Sequence, residues 1–296
     1  MNNGFLINPA MSGYDGYSTI NMTYRKEWVG FANAPTTYSL SGQTRLLKQS
    51  FKIVKRNVRK NFVKPSTKGR VGLGAFVFND KNGLVSRTGL QFSYAYHIFL
   101  YRSQISFGLA AQAFQYRIDA EKLSFVNEND PVKNNGLNLV AFIPDANFGF
   151  YWSSEKYYLG FSANQLFQSK IKLGSSDLPH FKLYRHYYFT GGYKFELYDG
   201  FAIEPSTLIK TTEQFLPQAD IGVKLYYNTD YWAGLSYRTS GSVAAMFGVK
   251  INQLYFGYAY DYALSSIRKH SFGSSEIVIS LKLGSNVRRY RWTNRY

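Results

Sequence analysis

The sequence predicts an all-β fold, a transmembrane antiparallel β-barrel of about 14 strands. Three observations predict it: long strands with one aromatic face, an even number of such strands, and connections that alternate in length. Residues 88–98 show the strand pattern best, because large apolar side chains alternate there with small or polar ones. Such alternation is typical of a half-buried strand. A strand of a soluble sandwich has about 5–6 residues, whereas a tilted membrane strand needs about 9–11, so the pattern favours a membrane barrel.

The same pattern recurs along the chain. In the strand just described, the apolar face consists of Leu90, Phe92, Tyr94, Tyr96 and Ile98. Residues 104–115 and 254–262 repeat it. An even strand count is the rule for bacterial single-chain barrels. The fourteen strand candidates are residues 17–26, 36–46, 70–78, 85–100, 101–117, 145–152, 156–168, 185–197, 200–210, 216–228, 230–239, 241–252, 253–263 and 274–284.

The connections between these strands alternate between short turns and longer segments. Short ones are predicted at 101–102, 153–155, 198–200, 228–230 and 252–253, and longer ones at 27–35, 79–84, 118–144, 169–184 and 264–273. Because such barrels have short periplasmic turns and longer external loops, the parity predicts a periplasmic N-terminus. Three connections depart from it: the external turns near 211–215 and 240 are short, and the periplasmic segment 47–69 is long.

The composition agrees with a single barrel in an outer membrane. The 296 residues include 26 Tyr, 24 Phe and 4 Trp, which suits the aromatic girdles at the two membrane interfaces. There is no cysteine, which excludes a disulfide framework and a thiolate metal site. No run of about 18 apolar residues offers a transmembrane helix. No signal peptide follows Met1, yet an outer-membrane chain must be exported, so we expect the sequence to be a mature or truncated form.

The net charge of +17 is concentrated in two segments. Residues 48–70 contain nine basic residues and no acidic one, and the C-terminal tail 286–296 adds four arginines. Strand parity places both segments on the periplasmic side, so we predict one electropositive surface there. Its proposed members are Lys52, Lys55, Arg56, Arg59, Lys60, Arg288, Arg289 and Arg291.

Two interpretations of the basic segment remain open. Phe51, Val54, Val58 and Phe62 recur at helical spacing, which predicts a basic amphipathic helix for a membrane surface or an acidic partner. The alternative is a solvated basic loop. We expect no nucleic-acid partner, because the basic residues are not interleaved with a binding fold.

A series of motifs runs along nearly the whole chain. They are Asn8-Pro9-Ala10, Gly13, Tyr24-Arg25, Trp28-Val29, Ala34-Pro35-Thr36-Thr37, Ser39, Ser41, Gly72-Leu73-Gly74, Asn79-Asp80-Lys81-Asn82-Gly83, Pro144-Asp145-Ala146-Asn147, Phe148-Gly149, Glu204-Pro205-Ser206, Gly257-Tyr258-Ala259-Tyr260-Asp261-Tyr262 and Ser275-Glu276-Ile277. Each motif is weak alone, but their order and spacing are specific. Together they resemble the PorP/SprF family, outer-membrane proteins of the type IX secretion system in Bacteroidetes.

The resemblance implies a β-barrel that serves secretion and surface attachment of large adhesins and other cargo, each with a C-terminal signal domain. In gliding bacteria this cargo includes the motility adhesin. The partners expected on this basis are a secreted surface adhesin with a type IX C-terminal domain and outer-membrane lipid. A periplasmic lipoprotein or a peptidoglycan-linked secretion component is expected at the basic surface.

Eleven charged residues lie opposite the apolar register of their strands. A charge on the lipid face costs about 2–4 kcal/mol at the bilayer midplane, so we predict that these side chains point into the lumen. Both signs are present, which fits a structural network; contact with cargo or a plug, and a path for ions, are the alternatives. The predicted lumen residues are Arg25, Arg45, Lys194, Glu196, Glu204, Asp220, Lys224, Arg238, Asp261, Glu276 and Lys282.

The predicted external loops contain large apolar side chains. In the loop at 28–35, Trp28 and Phe31 either anchor in the headgroups, fold over the barrel mouth, or bind a protein partner. The last role is a candidate because exposed aromatic residues are typical hot spots of protein interfaces. The candidate partner-binding residues are Trp28, Phe31, Phe125, Phe167, Leu178 and Phe181.

Catalytic and metal-binding patterns are missing from the sequence. The histidines at positions 97, 180, 186 and 270 form no HExxH motif and no pair at metal-ligand spacing. There is no G-x-S-x-G elbow, and Gly72-Leu73-Gly74 lies in a strand, where close packing or curvature explains it better than a nucleotide loop. We therefore expect no enzyme and no cofactor. A docking barrel for adhesins and a general diffusion porin are the two candidate functions, and a lipid-modifying enzyme is a distant third.

Overall fold

In the computed structural model, fourteen antiparallel strands form one sheet. They are β1 (Ser18–Lys26), β2 (Thr36–Leu46), β3 (Val71–Asn82), β4 (Val85–Phe99), β5 (Ser103–Ile118), β6 (Val140–Ser154), β7 (Tyr157–Asn164), β8 (His186–Tyr193, continued by Phe195–Glu196), β9 (Phe201–Thr212), β10 (Gln218–Tyr227), β11 (Tyr231–Arg238), β12 (Ser242–Ile251), β13 (Leu254–Ala263) and β14 (Ser274–Leu283). Each strand pairs with the next, and β14 pairs with β1, so the sheet closes into a barrel. The predicted fold class and strand number are confirmed.

The structure describes residues 4–46, 70–100, 103–119, 140–171, 181–228 and 230–283, without the side chains of residues 170, 171 and 181. The strand count refers to these ranges. The basic segment apart from Arg70, and the C-terminal tail 286–296, lie outside them, so the predicted periplasmic basic surface stays a prediction.

Strand β8 is interrupted at residue 194, next to Pro205 of the neighbouring strand β9. Gly192 pairs with Ser206, and Phe195 pairs with Ile203, so the register against β9 is the same on both sides of the interruption. Pro205 has no N–H to donate at this point of the ladder. The two pieces are therefore one strand, and the shared register places Lys194 opposite Glu204.

The two faces of each strand have different surroundings. Along β4, residues 89, 91, 93, 95 and 97 are buried in the barrel, whereas the residues between them are exposed on its outside. Tyr94 and Phe107 are on the outside, as predicted for a lipid-facing aromatic surface. Apolar side chains suit this face because lipid offers no partner to a polar group.

The barrel has two unlike ends. The end where Ser18 and Leu283 lie, here called the terminal end, has the short connections 155–156, 197–200, 228–230 and 252–253. The opposite end, called the loop end, has connections 27–35, 165–185, 213–217, 239–241 and 264–273. In the 165–185 connection, Lys170–Ile171 and Phe181–Lys182 pair as a short separate ribbon.

One predicted loop is wrong. Residues 79–84 do not form a longer connection, because β3 continues to Asn82 and the turn to β4 is only Gly83-Leu84, with Gly83 at φ 60°. The polar residues that suggested a loop form cross-strand pairs instead: Arg87 binds Asp80 in an ion pair.

The opposite roles of the two faces predict opposite effects of one substitution. Leu109 is exposed on the outer face near the middle of β5, so Leu109→Arg should lower the free energy of unfolding by about 2–4 kcal/mol. The matched control is Leu208→Arg, which puts the same charge on the lumen face of β9, beside Asp220. Urea unfolding in lipid vesicles measures both. Equal losses would contradict the assignment of the faces.

Candidate functional site

The N-terminal segment occupies the lumen. Residues 4–17, here called the plug, begin with a helical turn at Gly4–Ile7 and continue with a 3-10 turn at Pro9–Met11. Asn8 caps the second turn, because its Oδ1 accepts a hydrogen bond from the Ala10 N–H at 3.0 Å. Phe5 and the residues from Asn8 to Ala10 are fully buried. The plug lies in the half of the lumen next to the terminal end.

The lumen wall binds the main chain of the plug. Gly13 N–H donates to Gln43 Oε1 at 3.0 Å. The ring of His97 contacts the Ser12 carbonyl through Nε2 at 3.0 Å, and Arg45 donates to the Tyr14 carbonyl at 2.7 Å. Two of these side chains also bind within the wall, where His97 Nδ1 lies 2.8 Å from Ser106 Oγ and Arg45 donates to Gln104.

Two side chains of the plug bind the wall in return. Asn8 Nδ2 lies 2.8 Å from the Phe150 carbonyl and 3.2 Å from the Phe161 carbonyl, on two neighbouring strands. Asp15 forms an ion pair with Lys282 at 3.5 Å. The predicted lumen residues Arg45 and Lys282 therefore contact the plug, one of the two alternatives to a purely structural network.

Glycines make room for the plug. A Cβ atom at Gly72 would lie 1.8 Å from the Ser12 carbonyl oxygen, and one at Gly108 would lie 2.2 Å from the Ala10 nitrogen. At Gly149 it would lie 2.1 Å from Asn8 Oδ1. Any other residue at these positions would overlap the plug. The motif Gly72-Leu73-Gly74 serves close packing, as predicted. The segment that packs on it, the plug, was not predicted.

The loop-end half of the same wall is also filled. Phe114 and Ile143 form a buried cluster, against which Phe78 and Leu183 pack. Asp145 Oδ1 accepts from the Phe167 N–H at 3.1 Å, and Asn147 Oδ1 accepts from the Gln165 N–H at 3.1 Å. The Pro144-Asp145-Ala146-Asn147 motif therefore holds the connection that presents Phe167, a role that the sequence did not reveal.

The predicted charges of β1, β13 and β14 meet at the loop end. Arg25 binds Glu276 and Asp261, each at 3.0 Å, and Glu27 at 2.8 Å. Glu27 was not predicted as a member, since it follows the strand rather than lying in it. One guanidinium thus bridges three carboxylates across the seam where the barrel closes.

The predicted charges of β8 to β11 line the other side of the lumen. Arg238 pairs with Asp220 at 3.1 Å. The ammonium of Lys224 lies over the Trp232 ring and that of Lys194 over the Tyr226 ring. Two predicted acidic residues also lie in this region. Glu204 is buried beside Lys224, and Glu196 is exposed at the terminal end of β8.

A cavity of about 230 Å³ separates the plug from strands β8 to β12. Its lining combines hydroxyl groups and charge with a few apolar side chains. The residues that face it include Met11, Thr190, Ser206, Asp220, Ser236 and Met246. At about 30 Å³ per molecule this space admits several waters, so this side of the lumen is hydrated rather than packed.

Several exposed aromatic side chains lie at the loop end. Trp28, Phe31 and Phe167 are exposed there, as predicted. Phe125 and Leu178 lie outside the described residues, and of Phe181 only the backbone is described. Sequence reasoning missed the two most exposed phenylalanines of this end, Phe215 (85%) and Phe272 (77%).

Two loop-end connections form one surface. The Val29 N–H donates to the Gly273 carbonyl at 2.8 Å, and the Phe272 N–H donates to the Val29 carbonyl at 2.7 Å. The ring of Phe272 packs on Gly30, where a Cβ would lie 3.1 Å from it. The patch formed by Trp28, Phe31 and Phe272, here called the mouth patch, is thus held by backbone pairing.

Within the described ranges, no cluster of three or more potential metal-ligating side chains occurs. His97 is engaged by the plug, and His186 Nδ1 lies 2.8 Å from Gln165 Oε1. In the same ranges, no helix is long and apolar enough to cross a membrane.

A family model described as type IX secretion system membrane protein PorP/SprF matches residues 1–281. The chain belongs to this family. The resemblance inferred from the motifs is confirmed, and the protein is a membrane β-barrel of the PorP/SprF family. No curated protein sequence matches the chain.

The toluene transporter TbuX shares the barrel architecture of this PorP/SprF protein. The toluene transporter TbuX of Ralstonia pickettii has 11% sequence identity over 94% of this chain and 92% of that chain, with a TM-score of 0.55. Omp33 of Acinetobacter baumannii has 8% identity over 93% of this chain and all of that chain, with a TM-score of 0.46. At such low identity the likeness concerns the fold alone.

The carboxylate cluster at the seam predicts that Arg25 matters more than an exposed arginine. Arg25→Gln leaves three carboxylates without their shared partner and should lower the free energy of unfolding by about 1–2 kcal/mol, between the values for exposed and buried pairs. Arg87→Gln is the matched control, because Arg87 is half exposed and pairs with Asp80; it should cost less than about 1 kcal/mol. Urea unfolding in micelles compares them, and a larger loss at Arg87 would refute the prediction.

Proposed function

We propose that this PorP/SprF protein is an outer-membrane barrel that docks and retains a secreted surface adhesin through the adhesin's C-terminal signal domain. Membership in a secretion-system family supplies the class of partner. The mouth patch supplies the surface: three exposed aromatic side chains on connections that are fixed to each other by hydrogen bonds. Rigid exposed aromatic residues are suited to anchor a partner at low entropic cost. In gliding bacteria the cargo would be the motility adhesin.

The single observation that supports docking at the loop end is the state of the lumen. The plug fills the half next to the terminal end, and Phe114 and Ile143 fill part of the other half. Large cargo therefore has an accessible surface at the mouth and little room inside. The predicted charges mostly bind each other or the plug, which leaves the loops as the surface for recognition.

The proposed orientation places the loop end outside the cell and the terminal end in the periplasm. Short turns on one side and long loops on the other are typical of outer-membrane barrels. The basic residues predicted from the sequence would then face the periplasm, where an acidic lipoprotein or a peptidoglycan-linked component of the secretion machinery could bind them. Binding by charge rather than catalysis is the proposed role of this side.

A general diffusion porin is the alternative function. It rests on the fold and on the hydrated cavity beside the plug. A docking barrel purifies with a large secreted protein bound, whereas a porin conducts ions in a planar bilayer without one. The two measurements on the same preparation separate the functions.

Loss of the mouth patch should release the adhesin. Replacing Trp28 and Phe31 by Ala removes two of the three aromatic anchors and should reduce adhesin at the cell surface by about tenfold, the effect of about 1.4 kcal/mol. Tyr198→Ala is the matched control, because Tyr198 is an exposed aromatic residue at the opposite end. Surface labelling measures the adhesin, and heat-modifiability in gels reports whether the barrel is folded. Deletion of residues 122–134, which contain the predicted contact Phe125, should act in the same direction.

Unchanged display of the adhesin in both loop variants, with folded barrels, would refute docking at the loop end. Equal loss in the Tyr198→Ala control would also refute it, because the effect would then not depend on the mouth. In the first case the porin becomes the better hypothesis.

Charge reversal of the basic segment should release a periplasmic partner. The substitution of Lys55, Arg56, Arg59 and Lys60 by Glu changes the local charge by eight units and should remove the electrostatic attraction. Affinity purification at low and physiological salt then measures which proteins stay bound. Retention of every periplasmic partner at the level of the unmodified protein would contradict the proposed role. Adhesin display should be retained, which distinguishes this surface from the mouth patch.

A further inference from the structure

We propose that the inner wall of strands β2 to β7 is a peptide-binding site, occupied here by the chain's own residues 4–17, and that the pore opens when this plug leaves. The proposal concerns closure of the lumen and holds whether or not the barrel docks an adhesin. It follows from the way in which the wall recognises the plug.

The wall recognises the main chain of the plug in addition to its Asn8 side chain. The Gln43, His97 and Arg45 side chains bind the N–H of Gly13 and the carbonyls of Ser12 and Tyr14. All three wall residues are buried, as are the polar groups they bind, so these bonds form away from bulk water. Side chains arranged to pair with successive backbone groups are the chemistry of a site for a peptide segment, which is held here in a turn conformation.

The shape of the wall matches a thin peptide. Gly72, Gly108 and Gly149 lie in one row across β3, β5 and β6, with Ala95 of β4 between the first two, and form a shallow bed with little side-chain volume. The plug places compact residues there, since Asn8, Ala10 and Ser12 contact the three positions. A bed of glycine costs the strands stability, which a filled site compensates through the contacts it allows.

The plug is attached in a way that permits removal. Its C-terminal end leads into β1, and Gly16, with φ 77°, precedes that strand. On the side opposite the bed lies the hydrated cavity rather than packed protein. Its buried apolar anchors are few: Phe5, Pro9, Ala10 and Tyr14, the last in an edge contact with the Tyr151 ring at 5.5 Å. The plug therefore depends on hydrogen bonds that water can replace once it moves.

Planar-bilayer recordings of the full-length barrel and three variants test the proposal. Deletion of residues 4–15 removes the plug, and the double variant Gly72→Val, Gly108→Val fills the bed while favouring strand structure. Gly42→Val is the matched control, because Gly42 lies on the outer face of β2 with no atom closer than 4.0 Å to a new Cβ. Heat-modifiability confirms folding of each barrel before recording.

Both plug variants should raise the mean conductance by about tenfold or more, because a fourteen-strand barrel is wide and Phe114 and Ile143 fill only part of the half that the plug does not occupy. The full-length barrel and Gly42→Val should stay at the low level. A full-length barrel that conducts as well as the deletion variant would overturn the proposal, and so would a folded deletion variant that stays closed.

Addition of a synthetic peptide of residues 4–17 then tests the site itself. The peptide should close the deletion variant, whereas a peptide of the same composition in scrambled order should not. It should fail to close the Gly72→Val, Gly108→Val barrel, whose bed is filled. A deletion variant that both peptides close equally, or neither closes, would refute a specific peptide site. This result is independent of the double variant, so failure of that variant to fold leaves the proposal open to refutation.

Discussion

The pairing of β1 with β14 is the constraint on which the rest of the structure depends. In a bilayer an unpaired backbone group finds no water, so a sheet that spans it must close. Closure is achieved along nine residue pairs, from Ser18 with Leu283 to Lys26 with Ser275. It also sends half of every strand inward, into a space that side chains, water or another segment must fill. The polar network, the plug and the cavity are consequences of that space.

The two sides of the lumen are filled in different ways. Strands β2 to β7 turn glycine and small polar residues inward, and the plug fills the room that they leave. Strands β8 to β12 turn Thr, Ser, Lys and Asp inward and keep a hydrated cavity. The ion cluster around Arg25 joins the two sides at the seam. In the function that we propose, this internal use of charge leaves recognition to the aromatic residues of the mouth.

The sequence predicted those features that depend on local pattern. Alternation found all fourteen strands because the two faces of a strand meet different solvents, and the prediction of lumen residues used the same argument. The sequence predicts a longer loop around Gly83, because polar residues such as Asp80 suggest contact with water. In the structure Asp80 lies in a strand, where it pairs with Arg87. The exposed Phe215 is not among the predicted contacts, because the candidates were taken from longer loops and Phe215 lies in a short turn.

The plug could not be predicted, since its contacts are remote in sequence. Asn8 binds the carbonyl of Phe150, 142 residues away, and His97 binds Ser12 from 85 residues away. The motifs around Asn8, Gly72 and Gly149 each signalled a constraint, but only the closed barrel brings them into contact. Period and composition describe a residue's immediate surroundings, and they contain no information on which distant segment will fill a lumen.

Hydrogen exchange of the membrane-embedded barrel, free and with the C-terminal domain of its adhesin bound, tests the central claim most directly. A plugged docking barrel predicts slow exchange of the Ala10 and Gly13 amides in both states, because both are bonded and buried. It also predicts new protection at residues 27–35 and 264–273 when the adhesin domain binds. Fast exchange of the N-terminal amides in the free barrel, or protection that appears in the lumen and not at the mouth, would contradict the account.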